Sequence, residues 1–274
     1  MKILISTDIE GVAGVYHPQQ TRSGNAEYER ARRWMTEEAN AAIAGAFEAG
    51  ALEVYVNDSH GDFRNLLPDL LDPRAQAIQG KPRYLSMVAG VELGMDGVCM
   101  VGYHARAQGA GILAHTINSF AFAGIEFDGQ PMSEAGIYGA LAGEYGAPVL
   151  MASGDDLFIA ENRPLFPHAT FVQTKRATGQ TSGISLSPAQ SCAAIRVGVA
   201  EAVAMAVRED ARPLVWAAPL TVTLHTQSPA LADLFCQWPN FERVSPVALR
   251  FSAPTVEAAV RMLNCCSAMS AMLR

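Results

Sequence analysis

Metal-ligating side chains follow three separate apolar runs of this sequence. Asp8 and Glu10 come directly after "KILIST", and His60 lies in the cluster "NDSHGD" that ends the run "EVYVND". His104 follows "GVCMVGY", and Glu134 begins a helical pattern further along the chain. Carboxylates and imidazoles together suit zinc or a related divalent ion, whereas magnesium prefers oxygen ligands alone. Five such residues are enough for two ions that share a bridging carboxylate, and Asp8 is the predicted bridge.

The elements that must position these side chains are short apolar runs that alternate with helical patterns. Five runs predict buried strands of a largely parallel sheet: "KILIST", "EVYVND", "GVCMVGY", "PVLMASGDD" and "TFVQT". Helices are predicted from about residue 25 to 49, after Ser133, and after Ser187 with Pro188 in the first turn. The alternation favours an α/β fold, a mostly parallel sheet with helices on both faces. The carboxyl ends of its strands would bring the ligands to one point.

The pattern of the sequence changes in its last quarter. Before the change, "FAGIEFDGQPMSE" predicts a hairpin, because Asp128-Gly129 suits a type I′ turn. After residue 210, the segments "LTVTLHTQSPALADLF" and "VSPVALRFSAPTVEAAV" each read as a strand followed by a helix. We therefore predict a metal-binding catalytic α/β domain over residues 1–210 and a smaller C-terminal α/β subdomain over residues 211–274.

Composition excludes several classes of partner. Twenty basic residues against 27 acidic ones give a net charge of −7, which argues against nucleic acid as a partner. The apolar run Ile3–Ser6 is too short for a signal peptide, and no apolar run approaches the ~18 residues of a membrane span. Five scattered cysteines without CxxC spacing read as reduced thiols. We expect a cytoplasmic protein that binds neither nucleic acid nor membrane.

Five segments resemble, in order and in separation, the zinc-dependent D-aminopeptidase family of dinuclear metallopeptidases: "STDIEGVAG", "VNDSHGDFRNLLP", "GYHA", "AHTINS" and "SEAGIYG". The resemblance runs from Met1 to about Pro188. It implies that two zinc ions per chain are held by Asp8, Glu10, His60, His104 and Glu134. It also implies that His115 is catalytic, that the substrate carries a D-residue, and that the chain forms a homo-oligomer, with decamers known among family members.

The resemblance implies an aminopeptidase reaction on a short peptide or an aminoacyl amide, and the ligand types suggest how that reaction would proceed. A metal-activated water would attack the scissile carbonyl, while the ions stabilise the developing oxyanion. His115 would move a proton or hydrogen-bond the intermediate, and direct nucleophilic attack by its imidazole stays open. Asn57 and Asp58 are expected to orient the ring of His60.

Two other functions use the same residues. A dinuclear phosphoesterase would need cationic clamps on the phosphate, and Arg22, Arg64 and Arg106 lie near the motifs. A non-catalytic assembly module would use the ions for structure alone, with no open coordination position. Lys175 and Arg176 either meet a substrate carboxylate or belong to a solvated loop, and the second interpretation is favoured.

Overall fold

Within residues 1–208 and 211–274, which are those that the computed structural model describes, the chain forms two β-sheets flanked by helices. The strands are β1 (Lys2–Thr7), β2 (Glu53–Asp58), β3 (Gln76–Ile78), β4 (Gly97–Val101), β5 (Phe122–Phe127), β6 (Gln130–Pro131), β7 (Val149–Asp155), β8 (Thr170–Gly179), β9 (Ser182–Ser185), β10 (Leu220–Thr226), β11 (Glu242–Ser245) and β12 (Ala248–Ala253). The α-helices are α1 (Ala26–Glu48), α2 (Glu134–Glu144), α3 (Asp156–Asn162), α4 (Pro188–Arg208), α5 (Pro229–Phe235) and α6 (Val256–Met269).

The larger sheet has the strand order β3-β2-β1-β4-β7-β8-β9. All of its neighbours pair in parallel except β8 and β9, which pair antiparallel at one edge. The five runs predicted as strands form the five consecutive strands from β2 to β8 in this order. The prediction of an α/β fold with a mostly parallel sheet is therefore confirmed.

Alternate side chains of the central strands enter two different cores. Ile3 and Ile5 of β1 pack with α1 and α4 on one face, whereas Leu4 packs with α2 on the other. The predicted helix starts are observed as well: Asn25 and Ser133 accept hydrogen bonds from amides of the first turns of α1 and α2. Helices on both faces account for the continuous apolar runs, because both sides of each strand are buried.

The second sheet is antiparallel, in the order β11-β12-β10-β5-β6. Its β5–β6 hairpin turns at Asp128 and Gly129, whose φ values of 50° and 82° are those that a type I′ turn needs. Because β5 pairs with β10, the C-terminal segment shares a sheet with a hairpin from the middle of the chain. Residues 209–210, where the predicted domain boundary falls, lie outside those described, and the division stays a prediction.

Helix α4 is long and apolar enough to cross a membrane by length and composition alone, with a mean hydropathy of 1.3 over residues 188–207. The expectation that no apolar run approaches the length of a membrane span did not single out this helix, in which Arg196 and Glu201 lie among the apolar residues. One side of α4 packs against α1, β7 and β8. Val197, Met205 and Val207 remain exposed.

Candidate metal centre

The carboxyl ends of three neighbouring strands supply most of the site. Asp8 and Glu10 follow β1, His60 follows β2, and His104 follows β4. The fifth residue, Glu134, is the first residue of α2, so the cap at Ser133 sets where its side chain begins. The structure brings all five predicted ligand residues together. The three acidic residues are buried, each less than 5% exposed, in a position where an unpaired charge is unfavourable.

Asp8 lies between two imidazoles. Its Oδ1 is 3.2 Å from Nδ1 of His60, and its Oδ2 is 3.3 Å from Nε2 of His104. Nδ1 of His60 is also 3.0 Å from Oε2 of Glu10, and Nε2 of His104 is 3.5 Å from Oε2 of Glu134. Each oxygen of Asp8 therefore faces a different imidazole and carboxylate, which is the arrangement that a bridging ligand requires.

Several of these atoms are buried without a hydrogen bond of good geometry. Within the described part of the chain, they include Oδ2 of Asp8, Oε2 of Glu10 and Nε2 of His104. One ligand atom from each of these three residues fits within 4.8 Å of the others, as does one each from His104, His115 and Glu134. Buried polar atoms normally have partners. Atoms that lack them and converge, with carboxylate and imidazole chemistry, fit divalent cations.

Every imidazole of the site is anchored to the main chain through its other nitrogen. A carbonyl oxygen can only accept, so the bonded nitrogen carries a proton and the nitrogen that faces the site is the one available to a metal ion. The three contacts are His60 Nε2 to Thr21 O at 2.8 Å, His104 Nδ1 to Ala105 O at 2.9 Å, and His115 Nδ1 to Leu113 O at 2.9 Å.

The expectation that Asn57 and Asp58 orient His60 is wrong. Nδ2 of Asn57 donates to the carbonyls of Ser86 and Ala89, and the carboxylate of Asp58 accepts from two main-chain amides of the following loop. The carbonyl of Thr21 orients the ring instead. Sequence carries no signal for this contact, because every residue has a carbonyl and Thr21 is 39 residues away in the chain.

The charges of the site stabilise one another. Burial opposes ionisation of Asp8, but hydrogen bonds and charge from His104 and His60 outweigh it and hold the pKa of Asp8 well below its usual range. Burial likewise opposes the charge on His60 and His104, yet the neighbouring carboxylates raise the pKa of both well above 6.5. The same interplay, chiefly with His104, lowers the pKa of Glu134. In the metal-free protein, the positive charge of the protonated imidazoles therefore balances the negative charge of the carboxylates.

His115 lies on the accessible side of the site, with its side chain 21% exposed. Its Nε2 is 3.8 Å from Oε1 of Glu134. That oxygen accepts a 2.6 Å hydrogen bond from the amide of Ile117, which leaves Oε2 to face His104. The residues Leu113 and Ile117 have φ values of 55° and 62°, a strained conformation that is rare for branched side chains. The strain flanks His115 on both sides, as is common at functional sites.

The ligand loop, defined as residues 8–15, is held closely against the end of β4. A Cβ atom on Gly11 would lie 2.0 Å from the carbonyl oxygen of Tyr103, so only glycine permits this approach.

Lys175 also contacts the ligand loop and is 2% exposed, so the interpretation of this residue as part of a solvated loop is wrong. Sequence reasoning missed it because a buried lysine is uncommon.

Two of the three cations considered for a phosphoesterase, Arg64 and Arg106, are directed elsewhere. Arg64 is exposed beside Asp62, and the guanidinium of Arg106 faces Glu161 at 3.6 Å. Among the described residues, the ion pairs of Asp8, Glu10 and Glu134 all involve histidine. The geometry does not favour phosphate chemistry.

Comparison with known proteins agrees with the geometry. A model of the D-aminopeptidase family matches residues 1–265, further along the chain than the motifs indicate. The D-aminopeptidase of Bacillus subtilis (strain 168) is 39% identical over 191 residues, which cover 70% of this chain and 69% of the relative. The solved structure of the Zn-dependent D-aminopeptidase DppA from Bacillus subtilis, described as a self-compartmentalizing protease, superimposes with a TM-score of 0.94 at 30% identity, covering 99% of this chain and 98% of that one. This chain belongs to the D-aminopeptidase family and is a peptidase.

Proposed function

We propose that this protein is a zinc-dependent D-aminopeptidase that releases the N-terminal residue of short peptides or aminoacyl amides. The observation that carries the proposal is the position of Asp8, whose two oxygens face His60 and His104 beside unpartnered buried atoms. The zinc-dependent relative of the same fold supports the choice of metal. We further propose two ions per chain, held by Asp8, Glu10, His60, His104 and Glu134.

Bound zinc would supply an activated water and positive charge for the oxyanion of the reaction. The chain's own residues orient and protonate the substrate around that chemistry. His115 has the accessible imidazole, and the carbonyl of Leu113 fixes its Nδ1–H so that Nε2 faces the site. We assign Nε2 of His115 as the atom that moves a proton between the nucleophile and the leaving amine. The amide of Ile117 holds Glu134 in place during this transfer.

The test is a hydrolysis panel on zinc-loaded protein. It pairs D-alanyl amide and D-Ala-D-Ala with their L-counterparts, and adds p-nitrophenyl phosphate for the phosphoesterase alternative. We expect release of the D-residue, with little turnover of the L-compounds or the phosphate. Phosphate hydrolysis alone would replace the proposal with the phosphoesterase. Two bound zinc ions without hydrolysis of any compound would favour the assembly module.

We also propose that the chain assembles as a homo-oligomer, specifically a decamer. The support is the relative described as self-compartmentalizing and the apolar side chains that α4 leaves exposed, Val197, Met205 and Val207. Exposed apolar surface of this kind is typical of contacts between subunits. Light scattering should give about ten times the chain mass of 29.2 kDa, and a monomeric mass would refute the assembly.

A cytoplasmic location is a further proposal. All five cysteines are free thiols, and the buried Cys99 has its pKa raised to about 12 by burial, so it is an inert core residue. Reduced thiols are typical of the cytoplasm. Cell fractionation followed by immunodetection tests the location.

A further inference from the structure

Strand β8 breaks its alternation of buried and exposed side chains at Thr174 and Lys175. Both are buried, whereas the residues on either side of the pair are exposed. In the pairing with β7, Gly154 lies opposite Gln173 and Asp155 lies opposite Lys175, so Thr174 is the extra residue of a β-bulge. Bulges change the direction of side chains that would otherwise leave a strand on opposite faces.

Both side chains reach the ligand loop. The hydroxyl of Thr174 donates to the carbonyl of Gly11 at 2.7 Å. The ammonium of Lys175 donates to the carbonyl of Glu10 at 2.5 Å and to that of Val15 at 2.7 Å. Three carbonyls of a loop that contains two predicted metal ligands therefore accept hydrogen bonds from two consecutive residues of β8.

Helix α1 holds the same loop through a carboxylate. Oε1 of Glu38 accepts from the amide of Ala13 at 3.0 Å and from the hydroxyl of Ser191 at 2.7 Å. Glu38 is 1% exposed. The ligand loop thus has two of its carbonyls bonded to the buried ammonium of Lys175 and one of its amides bonded to the buried carboxyl group of Glu38.

The choice of lysine for this contact requires a reason. An ammonium is costly to bury, and a neutral donor would join a strand to a loop at lower cost. Both hydrogen bonds of Lys175 end on main-chain carbonyls and neither ends on a carboxylate. A charged donor forms stronger hydrogen bonds than a neutral one. The ammonium of Lys175 therefore holds the main chain at Glu10 more firmly than a neutral side chain would.

We propose that Lys175 and Thr174 are positioning residues of the metal centre. They fix the main chain of the ligand loop so that the carboxylates of Asp8 and Glu10 face His60. The inference rests on the zinc binding proposed above. Residues that orient metal ligands typically contribute 10- to 100-fold to metal affinity, and this effect distinguishes positioning from a contribution to folding alone.

The test compares three variants with the unchanged chain. Lys175→Met removes the charge and keeps the length of the side chain, and Thr174→Val removes the hydroxyl and keeps the shape. Arg176→Met is the matched control, because this neighbour on β8 is exposed. Zinc affinity is measured by competition with a chromogenic chelator, and the melting temperature is measured in EDTA. D-alanyl amide hydrolysis is followed across a zinc titration.

We expect Lys175→Met to bind zinc about 10- to 100-fold more weakly, with Thr174→Val affected less and Arg176→Met unchanged. Excess zinc should restore much of the kcat of Lys175→Met, since no ligand is lost. A lower melting temperature in EDTA with unchanged zinc affinity would overturn the inference. If Lys175→Met does not fold, Thr174→Val decides by the same measure. Absence of zinc binding by the unchanged chain would instead overturn the proposed function, and this inference with it.

Discussion

The imidazole ring of His115 stacks on that of His104, with ring centroids 4.2 Å apart and planes 10° from parallel. Of the two stacked rings, that of His104 lies beside Asp8, whereas that of His115 is at the accessible edge. The stack holds His115 close to the centre without requiring that it bind a metal. It also places one ligand atom of His115 within 4.8 Å of one from His104 and one from Glu134, so replacement of His115 tests proton transfer against metal binding.

Replacement of His115 by alanine separates chemistry from metal binding. If the imidazole moves a proton, His115→Ala should keep its zinc and its fold while kcat falls by 10²- to 10⁴-fold, or roughly 3–5 kcal/mol of barrier. Zinc content by elemental analysis and kcat on D-alanyl amide are measured together. His60→Ala is the comparison, and it should lose zinc as well as activity. Loss of zinc by His115→Ala in step with its activity would make His115 a ligand.

The position of Asp8 predicts an unequal effect of two similar substitutions. Asp8 pairs with both His60 and His104, whereas the ion pair of Glu10 among the described residues is with His60. Asp8→Ala should therefore lower the occupancy of both ions, and Glu10→Ala that of one. Zinc per chain is counted after dialysis against a weak chelator. Equal losses in the two variants would contradict the bridging role of Asp8.

Zinc should stabilise the protein more at alkaline than at acidic pH. In the metal-free protein the carboxylates raise the pKa of His60 and His104 above 6.5, so the stability from their contacts is present below that pH and is lost as the pH rises through the folded-state pKa. Protons also compete with zinc for the imidazoles. The zinc-induced rise in melting temperature should accordingly be larger at pH 8 than at pH 6. A rise independent of pH would argue against imidazole ligands.

Ionisation of Glu38 should make the free energy of unfolding of the metal-free protein depend on pH. Burial raises its pKa from 4.5 to about 7, against the effects of its hydrogen bonds with Ala13 and Ser191 and the charge of Lys175. A raised pKa means that stability is full below pH 4.5 and is lost as the pH rises through about 7. Glu38→Gln should remove this loss, which amounts to about 3 kcal/mol.

Urea unfolding of both proteins in EDTA at pH 5 and pH 8 measures the difference. The unchanged chain should lose more stability between the two pH values than Glu38→Gln. Parallel changes in both proteins would assign the pH dependence to other groups. The glutamine keeps an acceptor for the amide of Ala13, so the ligand loop should stay in place.

The sequence was informative where a local pattern decides the structure. Apolar runs predict the parallel strands, and the carboxyl ends of parallel strands lie at the same edge of a sheet. The sequence alone therefore predicts that Asp8, His60 and His104 lie close together. The helix start at Ser133 and the hairpin turn at Asp128-Gly129 are also predicted correctly, because caps and tight turns depend on one or two residues.

Contacts between segments that are distant in the chain could not be predicted from the sequence. The pairing of β5 with β10 joins segments almost 100 residues apart, and no local pattern specifies that partner. The bulge at Thr174 looks like ordinary strand in the sequence, so the burial of Lys175 could not be foreseen. The contact of His60 with the carbonyl of Thr21 does not depend on residue type, because every residue has a main-chain carbonyl. These contacts arise from tertiary packing, which overrides local preference.

The bonds between imidazoles and carbonyls have a consequence for design. The acceptors belong to the main chain at Thr21, Ala105 and Leu113, so a change of side chain at these positions leaves the acceptor oxygen in place. The path of the backbone thus sets which nitrogen of each histidine faces the site. A designer who transplants the centre must therefore copy the course of these loops and not only the three histidines.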